Sequence, residues 1–151
     1  MKVFLLIVLL VLFIILGIFV YLKFYYRHIV YKDMVYLCKM LKNNITFNKN
    51  TIDKLLETAS KNISHFSKTM LQPNLVEKKS YVLSKDEVVV IDGFIKSLGL
   101  GDVKYEINNL SYYENEFNEK KVLTKELLDK DGKMYLKLII GVGLAIFIIL
   151  I

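Results

Sequence analysis

The sequence predicts an all-α protein in which a small helical bundle, residues 23–136, lies between two membrane helices, residues 1–22 and 137–151. Two apolar runs at the ends and helical spacing of apolar residues between them support this prediction. About 20 consecutive apolar residues cover the roughly 30 Å hydrocarbon core of a bilayer. The run over residues 3–22 is therefore long enough to cross a membrane.

The N-terminal run has one alternative interpretation, a cleaved signal peptide. Secretory apolar segments have about 7 to 15 residues and end at a small-x-small cleavage site. Here the run continues through Phe19, Val20 and Tyr21 to Lys23, and it contains no such triplet at its end. We therefore expect the segment to remain on the protein as an anchor.

The C-terminal run is shorter. Counted from Tyr135 it has 17 residues, about 25 Å of helix, which needs local thinning of the bilayer and a snorkelling Lys137. An interfacial or buried tail helix is the alternative. An interfacial helix needs a charged face, whereas the apolar side chains here point all round the helix. The pattern favours a second span.

Basic residues lie at the inner ends of both runs and set the predicted orientation. The outer flanks hold only Lys2, and the inner flanks hold Lys23, Arg27, His28, Lys32, Lys125, Lys130, Lys133 and Lys137. Basic flanks stay in the cytoplasm. We expect a protein of the cell membrane with a cytosolic central domain, both termini outward, and a reduced thiol at Cys38.

The first half of the central domain shows three helical segments. Apolar residues recur at helical spacing after the first run, which predicts one continuous helix that ends near Asn43. Asn50 with Asp53 is typical of a cap for a second helix. A third helix is predicted over residues 63–71, before Pro73, because the residue preceding a proline is disfavoured in the helical region.

The second half begins with a capping box formed by Ser84 and Glu87, which predicts a helix that ends at a left-handed Gly99. Asp102 is the predicted N-cap of a long helix, whose only strong break before the last run is Asp131-Gly132. Its apolar stripe is predicted to contain Val103, Ile107, Leu110, Tyr113, Phe117, Leu123 and Leu127. One short strand signal occurs, over residues 81–83.

The chain shows no motif of an enzyme or of a metal site. It has two histidines, one cysteine and no tryptophan, and it lacks a glycine-rich phosphate loop and metal-ligand spacing. We predict no catalytic, cofactor-binding or metal residues, no small-molecule substrate and no nucleic acid. A small membrane hydrolase that uses Cys38 and His65 is the alternative. Cys38 fits better as a small hydrophobe, and His65 as a surface residue.

Charge is unevenly distributed along the domain. Residues 23–85 hold 12 basic and 4 acidic residues, and residues 86–137 hold 8 basic and 11 acidic residues. Lys54, Lys61 and Lys68 recur every seventh position, so a continuous helix would align them on one face. They are the predicted docking face for an acidic partner or anionic lipid head groups. An ordinary solvated surface is the alternative.

Small residues lie at matching depths in the two apolar runs. Gly17 and Gly141 are each about 6 to 7 Å from the inner end of their run. Ala145 follows Gly141 by four residues and completes a small-xxx-small face that lets two helices approach closely. We expect these residues to pack the spans together, unless the glycines are incidental.

The C-terminal half carries a family resemblance. Leu98-Gly99-x-x-Asp102, the run from Gly132 to Tyr135 and the glycine pair Gly141 and Gly143 resemble stage III sporulation protein AB. The architecture is similar to that of the family over the whole chain. The individual residues are similar only from position 94 onward. Where the family is expected to have glutamine, four positions after Asp102, this chain has Glu106.

The resemblance implies a non-enzymatic part of the membrane complex that bridges mother cell and forespore in endospore-forming bacteria. It implies a fold similar to the cytosolic helical domains of the type II secretion platform protein. The implied partners are the membrane and other sporulation channel proteins, including a neighbouring secretion-type ATPase. A general double-anchored membrane tether or scaffold, unrelated to secretion, is the alternative.

Overall fold

The computed structural model describes residues 2–47, 52–71 and 80–150, and these residues form an all-α structure without strands. Six α-helices and one π-helical turn make up this part of the chain. They are α1 (Lys2–Phe47), α2 (Ile52–Ser60), α3 (His65–Met70), α4 (Lys85–Ser97), α5 (Val103–Leu127), the π-helical turn (Leu128–Gly132) and α6 (Lys133–Leu150). The all-α prediction is confirmed.

Helix α1 is the longest element, with 46 residues, or about 69 Å at 1.5 Å per residue. The expected continuity between the apolar run and the domain is confirmed, and the helix ends at Phe47, slightly later than predicted. Apolar residues such as Met34, Leu37 and Leu41 keep one face of its second half fully buried. The same helix therefore contains the N-terminal apolar run in its first half and core residues of the helical domain in its second half.

Helices α5 and α6 run antiparallel to α1. Residues progressively later in α5 and α6 contact residues progressively earlier in α1. The paired positions are Lys42 with Glu114, Tyr31 with Phe117, His28 with Thr124, Phe24 with Tyr135 and Phe13 with Gly143. The predicted break at Asp131-Gly132 is the π-helical turn, which continues the helix rather than ending it. The connection between α4 and α5 consequently lies at the end of the domain farthest from the apolar runs.

The core lies between α1, α4 and α5, and α2 and α3 cover its other side. Leu55 and Ala59 of α2 are buried in it. The Phe94 ring of α4 contacts the Tyr113 and Phe117 rings of α5 edge-on, with centroid distances of 5.1 and 5.3 Å. Such edge-to-face pairs stabilise a fold by about 0.5–1.5 kcal/mol more than the burial of their surface area alone.

The predicted α5 stripe is wrong at two positions. Val103 is 58% and Leu123 is 50% exposed, whereas Glu106 and Thr124 are buried. Val103 lies in the first turn of α5, next to the connection between α4 and α5. The Thr124 hydroxyl lies 2.8 Å from the Lys120 carbonyl of its own helix and 3.5 Å from the His28 Nδ1 atom of α1, so this polar residue is buried with hydrogen-bond partners.

Three shorter predictions also change. Residues 81–83 form bends rather than a strand, because the Ser80 hydroxyl accepts hydrogen bonds from the Val82 and Leu83 amides. Helix α3 begins at His65, two residues later than predicted, because Ser64 is its N-cap. The predicted cap at Asn50 and the boundary at Pro73 lie outside the described residues.

Two helical stretches in the described residues are long and apolar enough to cross a membrane, one in α1 and one that includes α6. Little of either stretch is buried inside the protein, which distinguishes them from core helices of a soluble protein. The two stretches support a helical membrane protein.

Candidate docking surface and its supporting contacts

The three lysines of the predicted docking face all lie exposed on the α2–α3 layer. Lys54 belongs to α2, Lys61 to the turn that follows it, and Lys68 to α3. The helix is interrupted between Lys61 and His65, so the seven-residue spacing does not align them in the way that a continuous helix would. Within the described residues none of the three is in an ion pair, and their charges are open to a partner.

Asp33 of α1 fixes α3 in place. Its Oδ2 atom accepts a hydrogen bond from the Ser64 amide at 3.0 Å and another from the Ser67 hydroxyl at 2.6 Å. Ser64 in turn caps α3 by accepting from the Ser67 amide at 3.1 Å. No motif in the sequence singles out Asp33, although it is the only acidic residue between positions 23 and 52.

Glu87 joins the start of α4 to α1. Its Oε2 atom accepts from the Ser84 amide at 2.8 Å, and the Ser84 hydroxyl accepts from the Glu87 amide, so the two residues form a capping box. Its Oε1 atom accepts from the Arg27 guanidinium at 2.9 Å and from the Tyr31 hydroxyl at 2.8 Å. The same carboxylate is therefore both a helix cap and the centre of a contact between α1 and α4.

The electrostatics of this contact favour a charged Glu87. Burial alone would raise the pKa of Glu87, but hydrogen bonds from the Ser84 amide, Arg27 and Tyr31 outweigh it and hold the pKa below its usual value. Burial and the adjacent carboxylate raise the pKa of Tyr31, whose hydroxyl stays protonated and donates. The ion pair is consequently fully formed at neutral pH.

The distal connection between α4 and α5 is organised by glycines and a buried carboxylate. Gly99 has a φ of 81°, a left-handed conformation that favours glycine. Asp102 accepts from the Tyr105 amide at 2.8 Å and caps α5. Glu106, only 2% exposed, accepts from the Gly99 and Gly101 amides at 2.9 and 3.3 Å through one oxygen. Its other oxygen has no partner in the described residues.

The apolar runs touch at Gly17, as expected, but in α6 the contact lies at a different glycine from the one expected. A Cβ at Gly17 would lie 3.2 Å from the Leu136 side chain of α6, so this position faces the second run. A Cβ at Gly141 would meet nothing within 4 Å, and Ala145 is exposed. The close approach occurs instead at Gly143, where a Cβ would lie 2.7 Å from Phe13. The expected contact through Gly141 and Ala145 is therefore corrected to Gly143.

The alternative nucleophile pair finds no support in the environment of its members. Cys38 is fully buried, and burial raises the pKa of its thiol to about 12, whereas a nucleophilic cysteine needs a lowered pKa. His65 is exposed on the surface. Burial lowers the pKa of His28, so this residue is neutral at pH 7 and adds no charge to the basic flank. In the part of the chain that the structure describes, no His, Cys, Asp or Glu cluster could hold a metal ion.

Comparison with known families places this architecture. The sequence matches the family described as stage III sporulation protein AB over residues 70–151, which is more than half of the chain. No curated protein and no solved structure matches it. The matched region contains α4, the distal connection, α5, the π-helical turn and α6, the elements in which the resemblance of the sequence is concentrated. The chain belongs to the stage III sporulation protein AB family.

Proposed function

We propose that this sporulation protein is a non-enzymatic platform or adaptor in the membrane complex between mother cell and forespore, and that it receives a secretion-type ATPase. In this proposal residues 1–22 and 137–151 span the membrane, residues 23–136 lie in the cytosol, and both termini face outward. The family supports the role in sporulation. The ATPase and the orientation are our proposal.

The observation that carries the proposal is an open basic face on a layer that is anchored to a membrane-type helix. The α2–α3 layer presents Lys54, Lys61 and Lys68 to solvent. Asp33 ties α3 to α1, and α1 continues without a break into the apolar run. A partner bound to this face is thereby held at a defined position relative to the membrane.

The charges on this face would mainly govern how fast and how selectively a partner binds. Exposed charges at the rim of an interface change the association rate and its salt dependence more than they change stability. A net surplus of basic residues in positions 23–85 favours an acidic partner surface. Enzymatic chemistry is not needed for such a role, in agreement with the inert environment of Cys38.

The test is replacement of Lys54, Lys61 and Lys68 by glutamate in the full chain, followed by cross-linking and pull-down at timed stages of sporulation. Recovery of a secretion-type ATPase should fall sharply. Exposed substitutions away from the core change stability by only about 0.5 kcal/mol each, so the melting temperature should stay close to that of the unaltered protein. Binding by the unaltered protein should weaken as salt rises, because the screening length shortens to about 3 Å at 1 M.

The matched control reverses Lys104, Lys120 and Lys130, which are exposed lysines on the opposite half and are in no described ion pair. Lys125 is avoided because it pairs with Asp129 at 3.0 Å. If both triple variants recover the ATPase equally well, the three lysines of the docking face are an ordinary solvated surface. The same conclusion follows if the variant at Lys54, Lys61 and Lys68 has a lowered melting temperature. Recovery of the same partners from growing and sporulating cells would favour a general tether instead.

A further inference from the structure

An apolar groove lies where α1 leaves its apolar run and enters the domain, and we call it the boundary groove. It has a volume of about 600 Å³, and the described residues of its walls belong to α1, α3 and the bend after Ser80. Phe19 and Leu22 line one half, and Phe66 and Tyr81 line the other. The Tyr26 and Phe66 rings, with centroids 5.3 Å apart, hold α1 and α3 together beside it.

The groove straddles the level at which the bilayer surface is expected. Phe19 and Leu22 belong to the apolar run, and Lys23 is the first charged residue after it. From Phe19 to Tyr26 the helix rises about 10 Å, so one half of the groove lies in the hydrocarbon and the other at head-group depth. Helix α3 is consequently placed at the membrane surface. Its exposed aromatic neighbour Tyr81, 87% exposed, is typical of a residue at a membrane interface.

The lining of the boundary groove has an apolar part that suits an acyl chain and a basic part that suits a lipid phosphate. Phe19 and Leu22 offer an apolar wall at a depth that acyl chains reach and soluble ligands do not. Lys23 lies exposed in the lining and has no ion pair among the described residues. An ammonium at this depth meets phosphate groups, and the surplus of basic residues in positions 23–85 adds to its attraction for a negative charge.

We propose that the boundary groove binds one anionic phospholipid from the leaflet beside the helical domain. Its phosphate contacts Lys23, and an acyl chain lies against Phe19 and Leu22. The lipid fills the space between α1 and α3, and so joins the layer that carries the basic face to the bilayer. This site requires only that the apolar run of α1 lies in a membrane, and it does not depend on the identity of the protein partner.

The experiment uses the absence of tryptophan from the sequence. Tyr81→Trp adds a single fluorophore at an exposed position of the groove, and the full chain is placed in phosphatidylcholine nanodiscs. A small fraction of brominated phosphatidylglycerol or brominated phosphatidylcholine serves as quencher. We expect quenching about fivefold stronger per mole of brominated phosphatidylglycerol, the factor that one lysine near an anionic surface provides. Lys23→Gln should remove this preference and Lys23→Arg should keep it.

Two controls separate a site from general attraction of anionic lipid to a basic protein. Tyr25→Trp places the fluorophore on α1 beside Tyr26 but outside the described lining of the groove, and it should show little preference. Lys137→Gln removes an equal charge beside the second run and should leave quenching at Tyr81→Trp unchanged. Equal quenching by both brominated lipids, an equal preference at Tyr25→Trp, or an undiminished preference in Lys23→Gln would each overturn the site.

Discussion

Replacement of Glu87 by glutamine tests the contact that joins α4 to α1. The amide keeps the length of the side chain and an oxygen for the Ser84 cap, but it removes the charge that faces Arg27 and Tyr31. Breaking a buried ion pair costs about 3–5 kcal/mol. Arg27 is 29% exposed, so water recovers part of its solvation. We therefore expect a loss of about 2–3 kcal/mol in the free energy of unfolding.

The loss is measured by thermal unfolding in detergent, followed by the helical signal of circular dichroism. For a chain of this length 1 kcal/mol corresponds to about 2–4 °C, so the midpoint should fall by roughly 4–12 °C at pH 7. The folded-state pKa of Glu87 lies below its ordinary value of 4.5. Its ionised form therefore stabilises the fold above about pH 4.5, and this stabilisation is lost as the pH falls through the folded-state pKa. The difference between the two proteins should shrink in acid.

The proposed role of Glu87 is refuted if Glu87→Gln melts at the same temperature as the unaltered protein. It is also refuted if the difference between the two proteins is as large at pH 3, which is below the ordinary pKa of a glutamate, as at pH 7. Glu119→Gln is the matched control, because Glu119 is an exposed glutamate of α5. Its midpoint should move little, since exposed substitutions change stability by about 0.5 kcal/mol or less.

Three further predictions concern the spans, the thiol and α3. Gly143→Leu should weaken the contact between the apolar runs and lower the melting temperature, whereas Gly141→Leu should do neither; equal effects would contradict the packing. Cys38 should react with maleimide only after unfolding, even in lysed cells, because it is fully buried. Topology is therefore read from Asn108→Cys in a Cys38→Ser background, and labelling in intact protoplasts would reverse the proposed orientation. Asp33→Asn should cost about 1–2 kcal/mol and make α3 more sensitive to protease, and an unchanged cleavage pattern would show that Asp33 does not hold α3.

Signals that act within a few residues allowed much of the fold to be predicted. The capping box at Ser84, the left-handed Gly99 and the cap at Asp102 each depend on bonds inside one turn of the chain. The continuity of α1 follows from the absence of glycine and proline between positions 18 and 47. These local features are present in the structure at the expected residues.

Features that depend on how two helices face each other could not be predicted in the same way. The choice between Gly141 and Gly143 depends on which side of α6 meets α1, and nothing within α6 determines that side. Glu87 has a second role because Arg27, 60 positions earlier, lies beside it. The gap between Lys61 and His65 arises because Ser64 and Asp33 start a new helix there.

The π-helical turn has a consequence for the rotational phase of α6. Each extra residue in an α-helix advances the direction of the following side chains by about 100°, and a π turn absorbs one such residue without that advance. From Thr124, which faces α1, the contacts continue at Gly132 and Leu136. A regular α-helix over the twelve positions from Thr124 to Leu136 would place the leucine about 120° away from this line. Removal of one residue from Leu128–Gly132 would therefore allow a regular α-helix that still turns the same side of α6 to α1. Insertion of one further residue there would instead rotate α6 by about 100° and turn Gly143 away from Phe13.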